Sequence, residues 1–212
     1  MPVLDRLFQH HHLGLVWAAL VVCTFACATA RAMVLRGFVR AQAAELLAAV
    51  QQITAQAPFR HLVTPGGLTM SVAMTNCGAL GWVSDRSGYR YDPIDPQTGQ
   101  AWPAMPLLFR QLAREAAETA GFAGFAPDAC LINRYAPGAR LSLHQDRDEG
   151  NYAHPIVSVS LGVSAMFLWG GAQRAAGLAF LIRVVQDKDV FVTFLVLARG
   201  IFGGHPIAVA LG

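Results

Sequence analysis

From Cys130 to Leu197 the chain breaks into short runs of β-branched and apolar residues, with no amphipathic helix among them, and this restricts its second half to strands. The runs are Cys130 to Tyr135, Arg140 to His144, Ile156 to Gly162, Ala165 to Trp169 and Val190 to Leu197. The first half reads differently. Between Val39 and Ala57, Leu46, Leu47, Val50 and Ile53 recur at helical spacing with Gln and Glu between them, and Pro58 ends the pattern. A second helix fits PLLFRQLAREAAETAGF, opening near Pro106 and closing at Gly121. The intervening residues are punctuated by Pro65, Gly66, Gly67, Gly78, Gly81, Gly88, Pro93 and Pro96, which suits hairpins and loops. Two helices leading into many short strands predict an α+β chain whose β part is a sandwich or a jelly roll.

At 212 residues the chain has the size of one domain with a sizeable core. Its 54% hydrophobic and 14% charged residues exclude a disordered tail or a low-complexity nucleic-acid-binding segment. The net charge of +3 is mild, so contact with nucleic-acid phosphates calls for a local basic patch. The uncharged run Leu13 to Ala30, followed by Arg31, has the length of a signal or short membrane anchor. Asp5, Arg6 and three histidines (His10, His11, His12) precede it in place of a basic leader, so membrane attachment is the weaker reading. Cys23, Cys27, Cys77 and Cys130 form no CxxC pair and no zinc spacing, which makes them small core residues of a reducing compartment.

Chemistry concentrates in LSLHQDRDE, where His144 and Asp146 stand two apart in a segment entered as a strand and therefore share a face. With a second histidine from elsewhere, one imidazole and one carboxylate make the facial triad that leaves positions open on ferrous iron. Alone, HxD is a weak motif, and a His and Asp on a solvated turn is the commoner explanation. Just upstream, Asn133 and Tyr135 share a strand face and can both hydrogen-bond a carboxylate or carbonyl. The competing reading is a polar strand edge running into the Pro137-Gly138 turn.

Several irregular strings, in order and with similar spacing, resemble those of the bacterial AlkB family of alkylated-base DNA dioxygenases. They are FRHLVTPGG, TMSVAMTNCG, LGW, GYRY, PIDPQTG, WPAMP, PDACLINRYAPGARLSLHQDRDE and PIVSVSLG, and the likeness runs from about Met33 to Arg174. The resemblance implies a double-stranded β-helix jelly roll from residue 33 onward, preceded by a nucleotide-recognition lid over about residues 60–102. It implies ferrous iron held by His144 and Asp146, and 2-oxoglutarate held by Asn133 and Tyr135. Trp82, Tyr89, Asp148 and Arg174 fall where the family contacts the flipped base and its strand, and Thr64, Met70 and Met74 fall in its nucleotide-recognition region. The implied reaction uses O2 to decarboxylate 2-oxoglutarate to succinate and carbon dioxide and to hydroxylate an N-methyl group, which leaves as formaldehyde. The substrate is alkylated single-stranded or duplex DNA, with RNA as a further one, and the expected enzyme is a cytoplasmic monomer.

Methylation at adenine N1 or cytosine N3 makes the base cationic, which suits aromatic faces and a nearby carboxylate. Trp82 and Tyr89 are expected to stack on it and Asp148 to accept from its exocyclic amine. Without the family, core packing in a glycine-rich hairpin is the simpler reading of both rings.

After Arg174 the pattern departs from the family. QDKDVFVTF echoes an expected strand, and His205, in GGHPI, is the histidine available as third iron ligand. The family's closing R-x-N-x-T-x-R strand, whose arginines clamp 2-oxoglutarate, is absent before Gly212, and neither Arg183 nor Arg199 lies in that pattern. Both ends are expected to be out of frame or rearranged: residues 1–32 as a divergent apolar leader, the other end leaving the jelly roll a strand short with an open edge. A catalytically impaired nucleic-acid-binding relative is the alternative function, and a membrane-anchored oxygenase ranks last.

Overall fold

The structure, a computed structural model, describes residues 32–144, 155–162, 165–170, 179–184, 191–197 and 207–211. Helical periodicity around residue 50 becomes helix α1 (Ala43–Gln56), entered through a 3-10 turn at Arg40–Gln42, with Leu46, Val50 and Ile53 buried along one side. Helix α2 (Leu107–Thr119) begins directly after Pro106 and buries Phe109, Leu112, Ala113, Ala116 and Ala117. Beyond its end Gly121 takes φ +89°, a left-handed conformation that favours glycine and turns the chain out of the helix.

Twelve strands are described: β1 (Ala32–Arg36), β2 (Arg60–Val63), β3 (Thr69–Gly78), β4 (Gly81–Asp85), β5 (Gly88–Asp92), β6 (Ala129–Tyr135), β7 (Arg140–His144), β8 (Ile156–Gly162), β9 (Ala165–Gly170), β10 (Ala179–Val184), β11 (Phe191–Leu197) and β12 (Ile207–Leu211). A seven-stranded sheet runs β1-β12-β8-β11-β6-β3-β2, a three-stranded sheet runs β7-β10-β9, and β4-β5 form a separate hairpin. The expected α+β jelly roll is the observed architecture: a large sheet backed by two helices, with a smaller antiparallel sheet. The open edge expected at the end of the chain is not observed at β8, because β12 pairs with it in parallel and β1 pairs in turn with β12. The apolar run IAVAL has the composition to fill that edge.

Strand alternation gives the large sheet two faces with separate duties. Cys77, Cys130, Ile132, Val157, Val159 and Leu161 face α1 and α2 and form the main core with them. Each fully buried Leu, Val or Phe there contributes about 1.5–3 kcal/mol. The Thr75 hydroxyl donates to the Ala57 carbonyl at 2.7 Å, which ties the end of α1 to β3. Cys77 and Cys130 face each other across β3 and β6 as free, buried thiols. Burial, and then the neighbouring Cys77 thiol, holds the Cys130 thiol well above its ordinary pKa, and both side chains pack in the main core, as the lack of a CxxC or zinc spacing predicts. Among the described residues no helix is long and apolar enough to cross a membrane. The run Leu13 to Ala30 lies outside them.

Candidate active site

On the opposite face of the large sheet, Val72, Met74, Tyr135 and Ala139 form a second buried cluster, joined by Leu62, Met70, Trp82, Leu131 and Leu141. Register lines up one row of this face across the sheet: Met74 opposite Asn133, Asn133 opposite Thr193, and Thr193 opposite Ser160. Asn133 is fully buried here, and neither its amide nitrogen nor its amide oxygen has a hydrogen-bond partner among the described residues. A buried amide without partners is costly, and such groups mark sites where a polar ligand completes the bonding. The Asn133 amide therefore fits a small carboxylate or keto acid such as 2-oxoglutarate. Tyr135, two residues on and on the same face, is equally buried. The polar-edge reading of Asn133 and Tyr135 fails, since β6 is an interior strand between β3 and β11.

His144 ends β7. Phe180 of β10 pairs with His144 while Ile182 pairs with Leu141, so three steps on β7 match two on β10. This extra residue is a β-bulge in the β7-β10 pairing. Leu141 packs against the Tyr135 cluster. The HxD motif thus begins at the last residue of β7. Asp146, Asp148, Arg174 and His205 lie outside the described residues.

The β4-β5 hairpin carries the aromatic residues. Trp82, half-buried, and Tyr89, 47% exposed, stack with ring centroids 5.5 Å apart and planes inclined by 15°. Core packing is thereby excluded for Tyr89. Thr64 caps the β2-β3 turn, accepting the Leu68 amide at 3.1 Å on its hydroxyl and the Gly67 amide at 2.8 Å on its carbonyl. Met70 and Met74 lie along β3 in the second cluster, Met74 fully within it and Met70 at its margin.

Four residues not anticipated from the sequence hold this region together. Arg60, on β2, forks both guanidinium ends onto the buried carboxylate of Asp95, with one contact at 2.7 Å, and its charge lies 5.4 Å from the Trp102 ring centroid. Burial pushes the Asp95 carboxyl upward, but the Arg60 fork and the Gln97 amide outweigh it and leave the pKa below its ordinary value. The Trp102 indole donates to the Asp92 carbonyl at 2.9 Å, and its ring lies so close over Gly81 that a Cβ there would meet it at 2.3 Å. Asn76 holds the main chain of Trp82 from both sides of its amide, at 3.0 Å each. The signal for these residues was present: Asn76 interrupts an apolar strand, and Asp95 stands between Ile94 and Pro96 in a turn. A cleft of about 220 Å³ opens among Arg60, Met74, Asn76, Trp82, Gln97 and Trp102.

Comparison with known proteins places these features. The family profile of the 2OG-Fe(II) oxygenase superfamily matches residues 31–191. The alpha-ketoglutarate-dependent dioxygenase AlkB of Escherichia coli (strain K12) is 59% identical over 163 residues, covering 77% of this chain and 74% of its own. AlkB of Salmonella typhimurium is 60% identical over 144 residues, covering 68% and 67%. Among solved structures, that of OsALKBH1 aligns with a TM-score of 0.53 over 72% of this chain and 78% of its own, at 21% identity, a likeness of fold.

Proposed function

Because the chain belongs to the 2OG-Fe(II) oxygenase superfamily and, within it, to the AlkB dioxygenases, we propose that it oxidatively removes methyl groups from N1-methyladenine and N3-methylcytosine in single-stranded or duplex DNA, and in RNA as well. Bound together, Fe(2+), 2-oxoglutarate and O2 would supply the oxidising power that hydroxylates the methyl group, with succinate, carbon dioxide and formaldehyde as products. The protein's part is to bind and orient. The Asn133 amide takes a 2-oxoglutarate oxygen on the inner face of β6, with Tyr135 beside it. His144, Asp146 and His205 hold the metal.

The Trp82–Tyr89 stack is a pre-formed aromatic platform, and a flipped base carrying a methyl-induced positive charge is attracted to it more than its neutral parent. Asp148 accepts from the exocyclic amine of that base, and Arg174 contacts the strand. Thr64, Met70 and Met74 line the nucleotide's approach. Residues of about 60–102 form the recognition lid on a catalytic domain that begins near residue 33. The enzyme acts as a cytoplasmic monomer.

The observation that carries this reading is the buried Asn133 amide on β6, unpartnered among the described residues. Purified protein given Fe(2+), 2-oxoglutarate and an N1-methyladenine or N3-methylcytosine oligonucleotide is expected to release formaldehyde and succinate in equal amounts. Release of neither, with the methylated strand still bound, points instead to a binding protein that has lost turnover.

A further inference from the structure

We propose that Asn76 is a positioning residue that sets the Trp82 platform relative to the 2-oxoglutarate side of the site. The inference rests on the reading of Trp82 as a base-stacking ring. A residue in an antiparallel pair sends its N–H and C=O to the same side, and at Trp82 both go to Asn76. The Asn76 Nδ2 donates to the Trp82 carbonyl and its Oδ1 accepts from the Trp82 amide, at 3.0 Å each. Asn76 is 2% exposed, so both bonds are largely shielded from water. The side chain thus does what a neighbouring strand would do, joining a hairpin outside the main sheet to β3 at one residue.

That residue matters because of where β3 runs. Asn76 stands opposite Leu131 on β6, and Met74, two positions earlier, stands opposite Asn133. The strand that registers with Asn133 therefore also grips the backbone from which the Trp82 ring projects. The other ties of the hairpin act elsewhere: Ser84 donates to the Val63 carbonyl at 2.7 Å, and Gly81 lies under Trp102. Only an amide of this length offers a donor and an acceptor side by side at the required reach. Alanine leaves two buried backbone groups unpaired, and aspartate sets a carboxylate against a carbonyl oxygen.

The test compares wild type with Asn76→Ala, Asn76→Asp and Trp82→Ala. It measures affinity for a short N1-methyladenine oligonucleotide, affinity for 2-oxoglutarate, and hydrogen exchange along β3, β4 and β5. Asn76→Ala is expected to weaken oligonucleotide binding about ten-fold, approaching Trp82→Ala, to speed exchange in β4 and β5, and to leave 2-oxoglutarate affinity and β3 exchange within about two-fold. Asn76→Asp is expected to match Asn76→Ala at alkaline pH and to recover at acid pH, where the protonated carboxyl regains its donor. Two results overturn the proposal: oligonucleotide binding by Asn76→Ala equal to wild type, or a parallel loss of 2-oxoglutarate affinity and of β3 protection, which marks a merely structural role. Wild-type affinity in Trp82→Ala sinks the stacking assignment along with it. A Trp82-dependent affinity that ignores Asn76 sinks this inference alone.

Discussion

Asn133 carries an energetic cost that a bound ligand would remove: two buried amide atoms with no partner among the described residues. Replacing such a group with an apolar side chain of similar shape is neutral or stabilising, whereas loss of its bond to a ligand weakens binding. Asn133→Leu is therefore expected to raise the stability of the cofactor-free protein by about 1 kcal/mol in thermal or urea denaturation while weakening 2-oxoglutarate binding at least about ten-fold. Lower stability with unchanged 2-oxoglutarate affinity contradicts the role assigned to the residue. At this scale the sequence was informative about residue type and less so about partners. Spacing put Asn133 with Tyr135 and His144 with Asp146, because period two follows from strand geometry alone. It could not show that Asn133 is fully buried, since that depends on β3 and β11 flanking it, nor that the register of β7 with β10 shifts between Leu141 and His144.

Among the elements, the turn after the β4-β5 hairpin is tied to β2 by one ion pair. The Arg60–Asp95 bridge joins β2 to the turn that also presents Trp102, and Asp95 is almost fully shielded from water. Removing one partner of a shielded pair strands the other charge, so Asp95→Ala is expected to lose about 3 kcal/mol. The folded-state pKa of Asp95 is depressed, so the stability it contributes is present above the ordinary carboxyl value of 3.8 and is lost as pH falls through the lower folded value. Denaturation midpoints of wild type and Asp95→Asn should consequently converge only on the acid side of that value; a gap independent of pH contradicts the assignment. Both helices and strands β6, β7, β8, β9 and β11 were legible from periodicity and β-branched content. Strands β1, β10 and β12 were not: AFLIRV and IAVAL are apolar runs without alternation, which periodicity alone cannot assign. The parallel pairing of β12 with β8 and β1 is set by distant chain segments, and no local pattern encodes it.

For the molecule as a whole, one sheet separates two kinds of work. Its helix-facing side is apolar and holds the fold together, while the opposite side carries Asn133, Met74 and the approach to Trp82. The family was recognisable because irregular strings in register are far more specific than any single motif, and the match to residues 31–191 spans both helices and most of the strands. The central claim is that metal and 2-oxoglutarate share the inner side of that sheet. Its most direct test is an anaerobic titration of Fe(2+) and 2-oxoglutarate into wild type beside His144→Ala, followed by the visible charge-transfer absorption of the metal–2-oxoglutarate complex. A saturable band is expected in wild type and is lost in His144→Ala while the variant remains folded; an equal band in both proteins, or none in wild type, rules out the shared site.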